Sequence, residues 1–485
     1  MKKNKKMIFW IALLFICSFV HGDQKPNIIF FIADDMLPSH FNCLSVENST
    51  YLTPNLDRLA REGMLLLGQQ VVSPVCTPSR YSVLTGLYPS RAKNKQFVNR
   101  TIKEGQSVVQ FNTEILDSDQ TIGKILQQAG YTTGFVGKNH VVHVDGIKKF
   151  PNYNADPKND EIKAQLISNH QKVCQAIQAT GFDYVDRIYH SNAPWIGLKE
   201  TGVHNLDWIT EGSVDFIRNN AQKPFFLYFA STISHGPTQS KKSWNANPRM
   251  TPVGYLDSIP RVQASRETLP KRIKEVGLRA NDSRCNILWM DDALGALLET
   301  LEEQEILDHT WIFFFNDHGQ IAKGTLYQGG ICNPSIIWKK GGFSGENVCS
   351  ELISNIDFVP TILDIAKIKY EKDNFDGDSF FPIFSGEELK QRVFYYELGY
   401  ARAIRVGDWK YIAIRYPDLI RNMTFDERKN ILVNYNQKRK RTNSSIVTED
   451  PMQEFSHFNA IPGGGSAEIA STGKNKNYYD ADQLY

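Results

Sequence analysis

Asn27-Ile-Ile-Phe-Phe-Ile-Ala33, closed abruptly by Asp34-Asp35, is the stretch that decides the fold. The run has strand length and no polar alternation, which suits a strand buried on both faces of a parallel sheet. Downstream the sequence reads as a helix, with Thr53 as N-cap, Pro54 at the first helical position, Leu56, Leu59 and Ala60 on one face, and Gly63 as the stop. The strand-then-helix unit recurs. A helix near Gln120 to Ala129 leads into Thr132-Thr-Gly-Phe-Val136, and Pro224-Phe-Phe-Leu-Tyr-Phe-Ala230 and Trp311-Ile-Phe-Phe-Phe315 are two further buried-strand candidates.

Each of these strands runs straight into polar residues: Asp34 and Asp35, then Lys138 and His140, then His235, then Asp317 and His318. In open α/β sheets the ligand site lies beyond the carboxyl ends of the strands, so four chain-distant sets are expected to converge on one edge. The fold class that follows is α/β, a large, mostly parallel sheet flanked by helices over residues 23–385. A smaller C-terminal α+β domain is expected over 386–485. Its strand-like pieces are Arg392-Val-Phe-Tyr-Tyr-Glu397 and Ala403 to Ile414, the second carrying a Gly407-Asp408 turn signal that suits an antiparallel sheet. The stretches 141–222 and 236–284 read as too polar and irregular for core, and are expected to be excursions that wall the site. Ile287 to Glu303, with Met290, Leu294, Leu297 and Leu298 on one side, reads as a helix packed on the sheet.

At 485 residues the chain exceeds the roughly 250–300 residues at which single cores stop growing, so two domains are expected. Apolar residues at 41%, charged residues at 22% and a net charge of +2 are those of a globular enzyme with no dominant electrostatic partner, and nothing suggests a nucleic-acid binder. Lys2, Lys3, Lys5 and Lys6 precede an apolar run from Met7 to Val20 that is short for a bilayer span. Residues 1–22 therefore read as a signal peptide, with an uncleaved anchor as the alternative, and no later segment is long enough to cross a membrane. The chain is expected in the secretory pathway, whether extracellular, periplasmic or lysosomal. There Cys43, Cys174, Cys285, Cys332 and Cys349 are expected to form one or two disulfides, and Asn48, Asn99, Asn281, Asn422 and Asn443 are glycosylation sequons.

Adjacent aspartates at a strand end repel and resist desolvation unless a cation neutralises them. Asp34, Asp35 and Asp317 supply carboxylate oxygens suited to a hard divalent cation, calcium first and magnesium as the alternative, with His318 as a further ligand. Solvated loop aspartates are the bland reading of either site alone. Their shared position immediately after a buried strand favours the metal.

Pro74-Val-Cys-Thr-Pro-Ser-Arg80 contains Cys-x-Pro-x-Arg, which resembles the modification motif of the type I, formylglycine-dependent sulfatases of the alkaline phosphatase superfamily. Further motifs similar to that family appear in order: Asp34-Asp35, Ser82-Val-Leu-Thr-Gly86, Gly137-Lys-Asn-His140, Ser234-His-Gly-Pro237, Asn316-Asp-His-Gly319, Lys323-Gly-Thr-Leu-Tyr-Gln-Gly-Gly330 and Arg405-Val-Gly-Asp-Trp-Lys-Tyr411. The resemblance implies that Cys76 is oxidised to formylglycine by a formylglycine-generating enzyme, and that its hydrate attacks sulfur beside the metal. Residue 76 then joins Asp34, Asp35, Asp317 and His318 around the ion. Arg80, Lys138 and Lys323 would hold charge on the sulfuryl oxygens and the diol, His235 would protonate the leaving alcohol, and His140 would help remove a proton from the second hydroxyl.

The sequence departs from the family pattern at Met36-Leu37, where Leu-Gly is frequent, at Gln328, where Glu is usual, and at His318, where many members have Asn. The family commonly continues past a Leu-Tyr like Leu484-Tyr485, so the sequence is expected to be partial there. Two rival readings remain: a phosphatase or phosphodiesterase of the same superfamily, which needs a Ser or Thr nucleophile and further ligands for a second metal, and a sulfated-glycan-binding protein without catalysis. For substrate, Trp195, Trp208 and Trp244 with Lys241, Lys242, Arg261, Arg266, Lys271 and Arg272 are expected to bind a sulfated sugar by stacking and charge, or else to be ordinary surface.

Overall fold

The structure, a computed structural model, describes residues 25–44, 52–150, 152–343, 347–441, 445–446, 448–456, 460–463 and 476–485. The expected leader at 1–22 and the sequons at Asn48 and Asn443 lie outside the described residues. Asn27–Asp34 is fully buried and runs at the centre of an eight-stranded sheet. In spatial order the strands are Asn347–Cys349, Met64–Leu66, Ser335–Lys339, Thr310–Asn316, Asn27–Asp34, Phe225–Ser234, Thr132–Asn139 and Tyr184–His190. The central neighbours are parallel to it, with Phe31 opposite Phe229 on one side and Phe314 on the other. Ser335–Lys339 runs antiparallel.

Alternation along the central strand divides the core into two layers. Ile29, Phe31 and Ala33 face the helices Pro54–Glu62, Leu206–Asn220 and Cys285–Glu303. Ile28, Phe30 and Ile32 face Cys76–Thr85, Ile122–Gln128, Asp160–Gln178 and Phe358–Ile365. Phe31 stacks on Phe229 at 4.3 Å and Phe314 at 5.4 Å. Burying a side chain of this size stabilises by about 1.5–3 kcal/mol, and both layers depend on the same strand. Among the described residues no helix is long and apolar enough to cross a membrane.

The helix read from Thr53 to Gly63 forms over Pro54–Glu62, but the Thr53 side chain does not cap it. The cap comes from elsewhere in the chain: the Asp291 carboxylate accepts from Asn55 N at 3.0 Å and Leu56 N at 2.9 Å. The stretch 141–222 is not an excursion. It supplies an edge strand of the main sheet and two helices, and Leu206–Asn220 is largely buried. Its polar residues mask that role, since Thr210 turns its hydroxyl back onto Leu206 O at 2.8 Å and Asp207 is neutralised by Arg266 at 2.6 Å. The stretch 236–284 is irregular as read, holding a two-stranded ribbon, Met250–Thr251 with Gly254–Tyr255, and the helix Leu269–Glu275.

The smaller sheet is antiparallel, in the order Val393–Leu398, Ala401–Val406, Trp409–Ile414 and Asp482–Leu484, with Gly407 and Asp408 at the turn. The expected disulfides are absent among the described residues. Cys43, Cys174, Cys285, Cys332 and Cys349 occupy different elements and are free thiols.

Truncating Phe31, which both stacks along the sheet and anchors one layer, is expected to lower unfolding free energy by about 3–5 kcal/mol. Urea denaturation of Phe31→Ala measures it, and a loss below about 1 kcal/mol would contradict the packing described.

Candidate active site

The four strand ends meet. Asp34 ends the central strand and is buried, while Asp35 follows in a left-handed conformation at φ 59, with its N–H on Asp317 Oδ1 at 3.2 Å. Asp tolerates that region better than most residues. Asn316 fixes the turn by accepting from Met36 N at 2.9 Å and donating to Met36 O at 3.0 Å. Cys76 is the first residue of Cys76–Thr85, a helix buried along its whole length. Unpaired backbone N–H groups and the positive end of the helix dipole favour negative charge there.

One turn on, Arg80 shares the face of Cys76 and reaches Asp34 Oδ1 at 3.3 Å and Asp317 Oδ2 at 3.2 Å. Lys138 Nζ meets Asp34 Oδ2 at 2.6 Å. Gly137 makes this possible: at φ 96, a Cβ there would lie 1.9 Å from Ala230 O, and the register against Tyr184–His190 shifts at this point, aiming Lys138 into the site. Lys323 Nζ lies 2.6 Å from Asp35 Oδ1 and 3.8 Å from Cys76 Sγ. Its loop closes because Gly330 carries no side chain: a Cβ would meet Thr325 O at 2.2 Å, and Gly330 O instead accepts from Gly319 N at 3.0 Å.

His318 Nε2 lies 3.1 Å from Asp35 Oδ1, 3.6 Å from Asp317 Oδ1 and 3.5 Å from Cys76 Sγ. Burial disfavours its charged form, but Asp317 and the hydrogen bond to Asp35 raise it to about 10. Burial likewise opposes the ionised forms of Asp35 and Asp317; His318 and Lys323 for the first, His318 and Arg80 for the second, hold both well below the usual carboxylate range. Asp34 is lowered against its burial chiefly by Lys138. His235 Nε2 is 3.6 Å from Asp35 Oδ2 and its Nδ1 pairs with Gly236 O at 2.9 Å. His140 stands at the edge of the cluster, its ring packed on Phe111, and burial followed by the charges of Lys138 and Arg80 holds it well below its ordinary value, as a neutral imidazole.

Ligand atoms of Asp35, Cys76, Asp317 and His318 all lie within 4.8 Å of one another, a donor set that fits a single cation. Asp34 falls outside that tightest group, one oxygen 4.0 Å from Cys76 Sγ and the other on Lys138. His318 must shed its proton before Nε2 can serve as a ligand. Two supporting groups were not singled out from the sequence. Ser79 donates to the Asp317 carbonyl and is itself held by Asn355 Nδ2 at 3.0 Å. His204 is buried on Thr232 Oγ1 at 2.9 Å, and burial and the neighbouring His235 push it down to about 4. Neither a lone Ser nor a lone His carries a sequence signal of such a role.

The substrate residues read from the sequence are redistributed. Trp208 is core, and Arg272 is bound to Asp292 at 2.6 Å. Arg266 is bound to Asp207, and Trp195 packs on His190 at 4.5 Å.

A cysteine at a buried helix start, ringed by carboxylates and fixed cations beyond the ends of a parallel sheet, is an arrangement suited to the hydrolysis of anionic esters. Residues 26–368 match the family described as Sulfatase, and residues 316–443 match the family described as N-sulphoglucosamine sulphohydrolase, C-terminal. The chain belongs to the sulfatase family and is a sulfuric ester hydrolase. The N-acetylgalactosamine-6-sulfatase of Mus musculus is 27% identical over 80% of this chain and 72% of its own length. A solved structure from work on glycosaminoglycan metabolism by Bacteroides thetaiotaomicron superposes with a TM-score of 0.55 at 22% identity, covering 80% of this chain and 88% of that one. A structure in complex with k-i-k-neocarrahexaose gives 0.54 at 20% identity, covering 93% and 98%.

Asp34→Asn keeps the shape of the side chain but leaves Lys138 buried without its counter-charge. The expected loss is about 3–5 kcal/mol of unfolding free energy in the presence of a chelator, measured by urea titration; an unchanged midpoint would show that the pair does not stabilise the fold.

Proposed function

We propose that the chain hydrolyses sulfate esters of a sulfated carbohydrate, with residue 76 as nucleophile after oxidation to formylglycine. The observation that carries this is the placement of Cys76 Sγ at a helix start, 3.5 Å from His318 Nε2, 3.8 Å from Lys323 Nζ and 4.0 Å from Asp34 Oδ1. In this structure the thiol stands where the hydrated aldehyde would be. The modified residue would supply one hydroxyl to attack sulfur and a second through which sulfate is expelled, which neither serine nor cysteine offers. A divalent cation, calcium first, held by Asp35, Asp317, His318 and residue 76 with Asp34 alongside, would act as a Lewis acid and lower the pKa of the nucleophile.

The chain's own groups divide the remaining work. Asp34, Asp35 and Asp317 face Arg80, Lys138 and Lys323, so their fixed charges balance, and the cation adds the positive surplus that an anionic ester needs. Lys138 and Lys323 lie on either side of the aspartates, positioned to hold the sulfuryl oxygens, while Arg80 locks Asp34 to Asp317. His235 is exposed enough to reach a leaving oxygen and serves as the acid. His140, held neutral, is suited to accept a proton.

The carbohydrate class rests on the relatives, among them an N-acetylgalactosamine-6-sulfatase, and a structure of the same fold is in complex with k-i-k-neocarrahexaose. We assign the chain to the secretory pathway on its lysine-flanked apolar leader, and Asn99, Asn281 and Asn422 are exposed as sequons should be.

Two measurements test this reading. Cys76→Ala is expected to lower aryl sulfate hydrolysis by on the order of 10⁴-fold or more, and the tryptic peptide of the active protein should carry the aldehyde at residue 76; full activity with an intact thiol would overturn the nucleophile assignment. His235→Ala should lower kcat by about 10²–10⁴-fold for alkyl and sugar sulfates, and by less for aryl sulfates with acidic leaving groups; equal losses for both would remove His235 from the role of acid.

A further inference from the structure

In a sulfate ester the sulfuryl group enters the charged cluster and the sugar departs through its bridging oxygen. With His235 as the acid for that oxygen, the rest of a carbohydrate chain extends past His235. The segment that begins there is strongly basic. Residues 236–284 carry ten Lys and Arg against four Asp and Glu, a surplus of six where the whole chain has +2. Three of these cations are already paired: Arg266 with Asp207 at 2.6 Å, Arg272 with Asp292 at 2.6 Å and Arg284 with Asp282 at 2.8 Å. Lys241 and Lys242 are exposed, and among the described residues neither forms an ion pair. Glu200, the acid in the loop that meets their turn, accepts from Tyr255 at 2.6 Å instead.

The two lysines stand on a fixed support. Ser240–Lys242 is a single 3₁₀ turn, and Ser240 O accepts from both Ser243 N at 3.1 Å and Asn245 N at 2.8 Å. Ser243 Oγ donates to Gln239 O at 2.9 Å, and Asn286 Nδ2, from the buried helix Cys285–Glu303, donates to Thr238 O at 3.4 Å. Lys242 O accepts from His204 N at 2.9 Å. His204 is 1% exposed, and its ring pairs with Thr232 Oγ1 at 2.9 Å, in the strand that ends at Ser234. Burial first, then His235, Asp34 and Lys138, act on the ionisation of that ring. One buried residue thus stands between the lysine turn and the charged cluster. Adjacent like charges without acid partners repel, and a rigid turn limits how far they can separate, so an anion binding there relieves the repulsion at little ordering cost. Each ammonium offers a compact charge with three donors, which suits a sulfate or carboxylate.

We propose that Lys241 and Lys242 bind a second anionic group, a sulfate or carboxylate, on the sugar chain that extends past His235, and so select polyanionic carbohydrates over those bearing a single sulfate ester. The assignment rests on the carbohydrate substrate class and on the role of His235 proposed above. It adds the requirement that the substrate carry negative charge on the leaving-group side of the ester.

Inhibition and direct binding test this separately. A heparin hexasaccharide is expected to inhibit hydrolysis of a small aryl sulfate competitively. Lys241→Ser combined with Lys242→Ser should raise the inhibition constant at least about tenfold more than it lowers kcat/KM for the aryl sulfate, and Lys241→Arg combined with Lys242→Arg should restore tight inhibition. Lys429→Ser combined with Lys440→Ser removes the same charge from exposed positions of the helix Phe425–Arg441 and should leave inhibition as it was. Calorimetric titration of Cys76→Ala protein with the hexasaccharide reads binding without hydrolysis, so failure of the sulfatase mechanism would not mask the result; the serine pair at 241 and 242 should weaken binding there by the same factor. No binding by the parent, equal affinity in that pair, an equal loss in the remote pair, or non-competitive inhibition would overturn the assignment. Equal losses of inhibition and of aryl sulfate turnover would overturn it too, leaving the turn as a support for His235.

Discussion

Three carboxylates held within contact of three fixed cations, in a place water barely reaches, are the constraint on which the structure turns. Moving each charge out of water costs several kcal/mol, and a pair at about 4 Å returns roughly 4 kcal/mol at the effective dielectric of such sites. The cluster therefore persists only if every partner is placed to within a fraction of an ångström. That requirement accounts for the local oddities around it: the left-handed Asp35, the register shift beside Gly137, and the glycine contact that folds the Lys323 loop against Gly319. Each shifts one charged side chain by a small distance that an ideal strand or loop would not give.

The smaller sheet takes part in this placement. Lys410, in the strand Trp409–Ile414, donates to Leu326 O, while Tyr478 accepts from Leu326 N at 3.0 Å and Tyr327 donates to Gln483 Oε1 at 2.8 Å. The loop bearing Lys323 is thus held from behind by residues more than eighty positions later in the chain. Burial and the nearby Arg405 lower Lys410 to about 7, so a group that is ordinarily a surface cation serves here as an internal donor. The antiparallel sheet is part of the support of the active site, and a domain line drawn through the sequence hides that.

Where the fold was legible in the sequence, a single physical rule dominated. Runs such as Asn27–Ala33 and Trp311–Phe315 are apolar on both faces, and only a two-sided core accommodates them, so strand, layer and polar end could all be read at once. Leu206–Asn220 was misread because its buried Thr210, Ser213 and Asp207 are satisfied by partners the local sequence does not contain or by backbone four residues back. Thr53 likewise looked like a cap because its neighbours are those of a helix start; the actual cap, Asp291, is more than two hundred residues away. An oxidising compartment leads one to expect one or two disulfides of undetermined connectivity, whereas the described cysteines stand free on separate parts of the fold and pack as small hydrophobes.

The same logic separates chemistry from recognition. Asp34 and Asp317 can be read because they follow directly from the ends of buried strands, and Cys76 because it sits in Cys-x-Pro-x-Arg; each of these signals is local in the sequence. Arg266 and Arg272 looked equally available to a sulfated sugar, yet Asp207 and Asp292 reach them first. A basic side chain recognises substrate only if no acid on a packed neighbour has claimed it, and that depends on tertiary contacts between elements far apart in the chain. What the 236–284 segment offers a ligand therefore depends on its tertiary pairing, in which Arg266 and Arg272 are already bound to Asp207 and Asp292, and not on its count of positive charges.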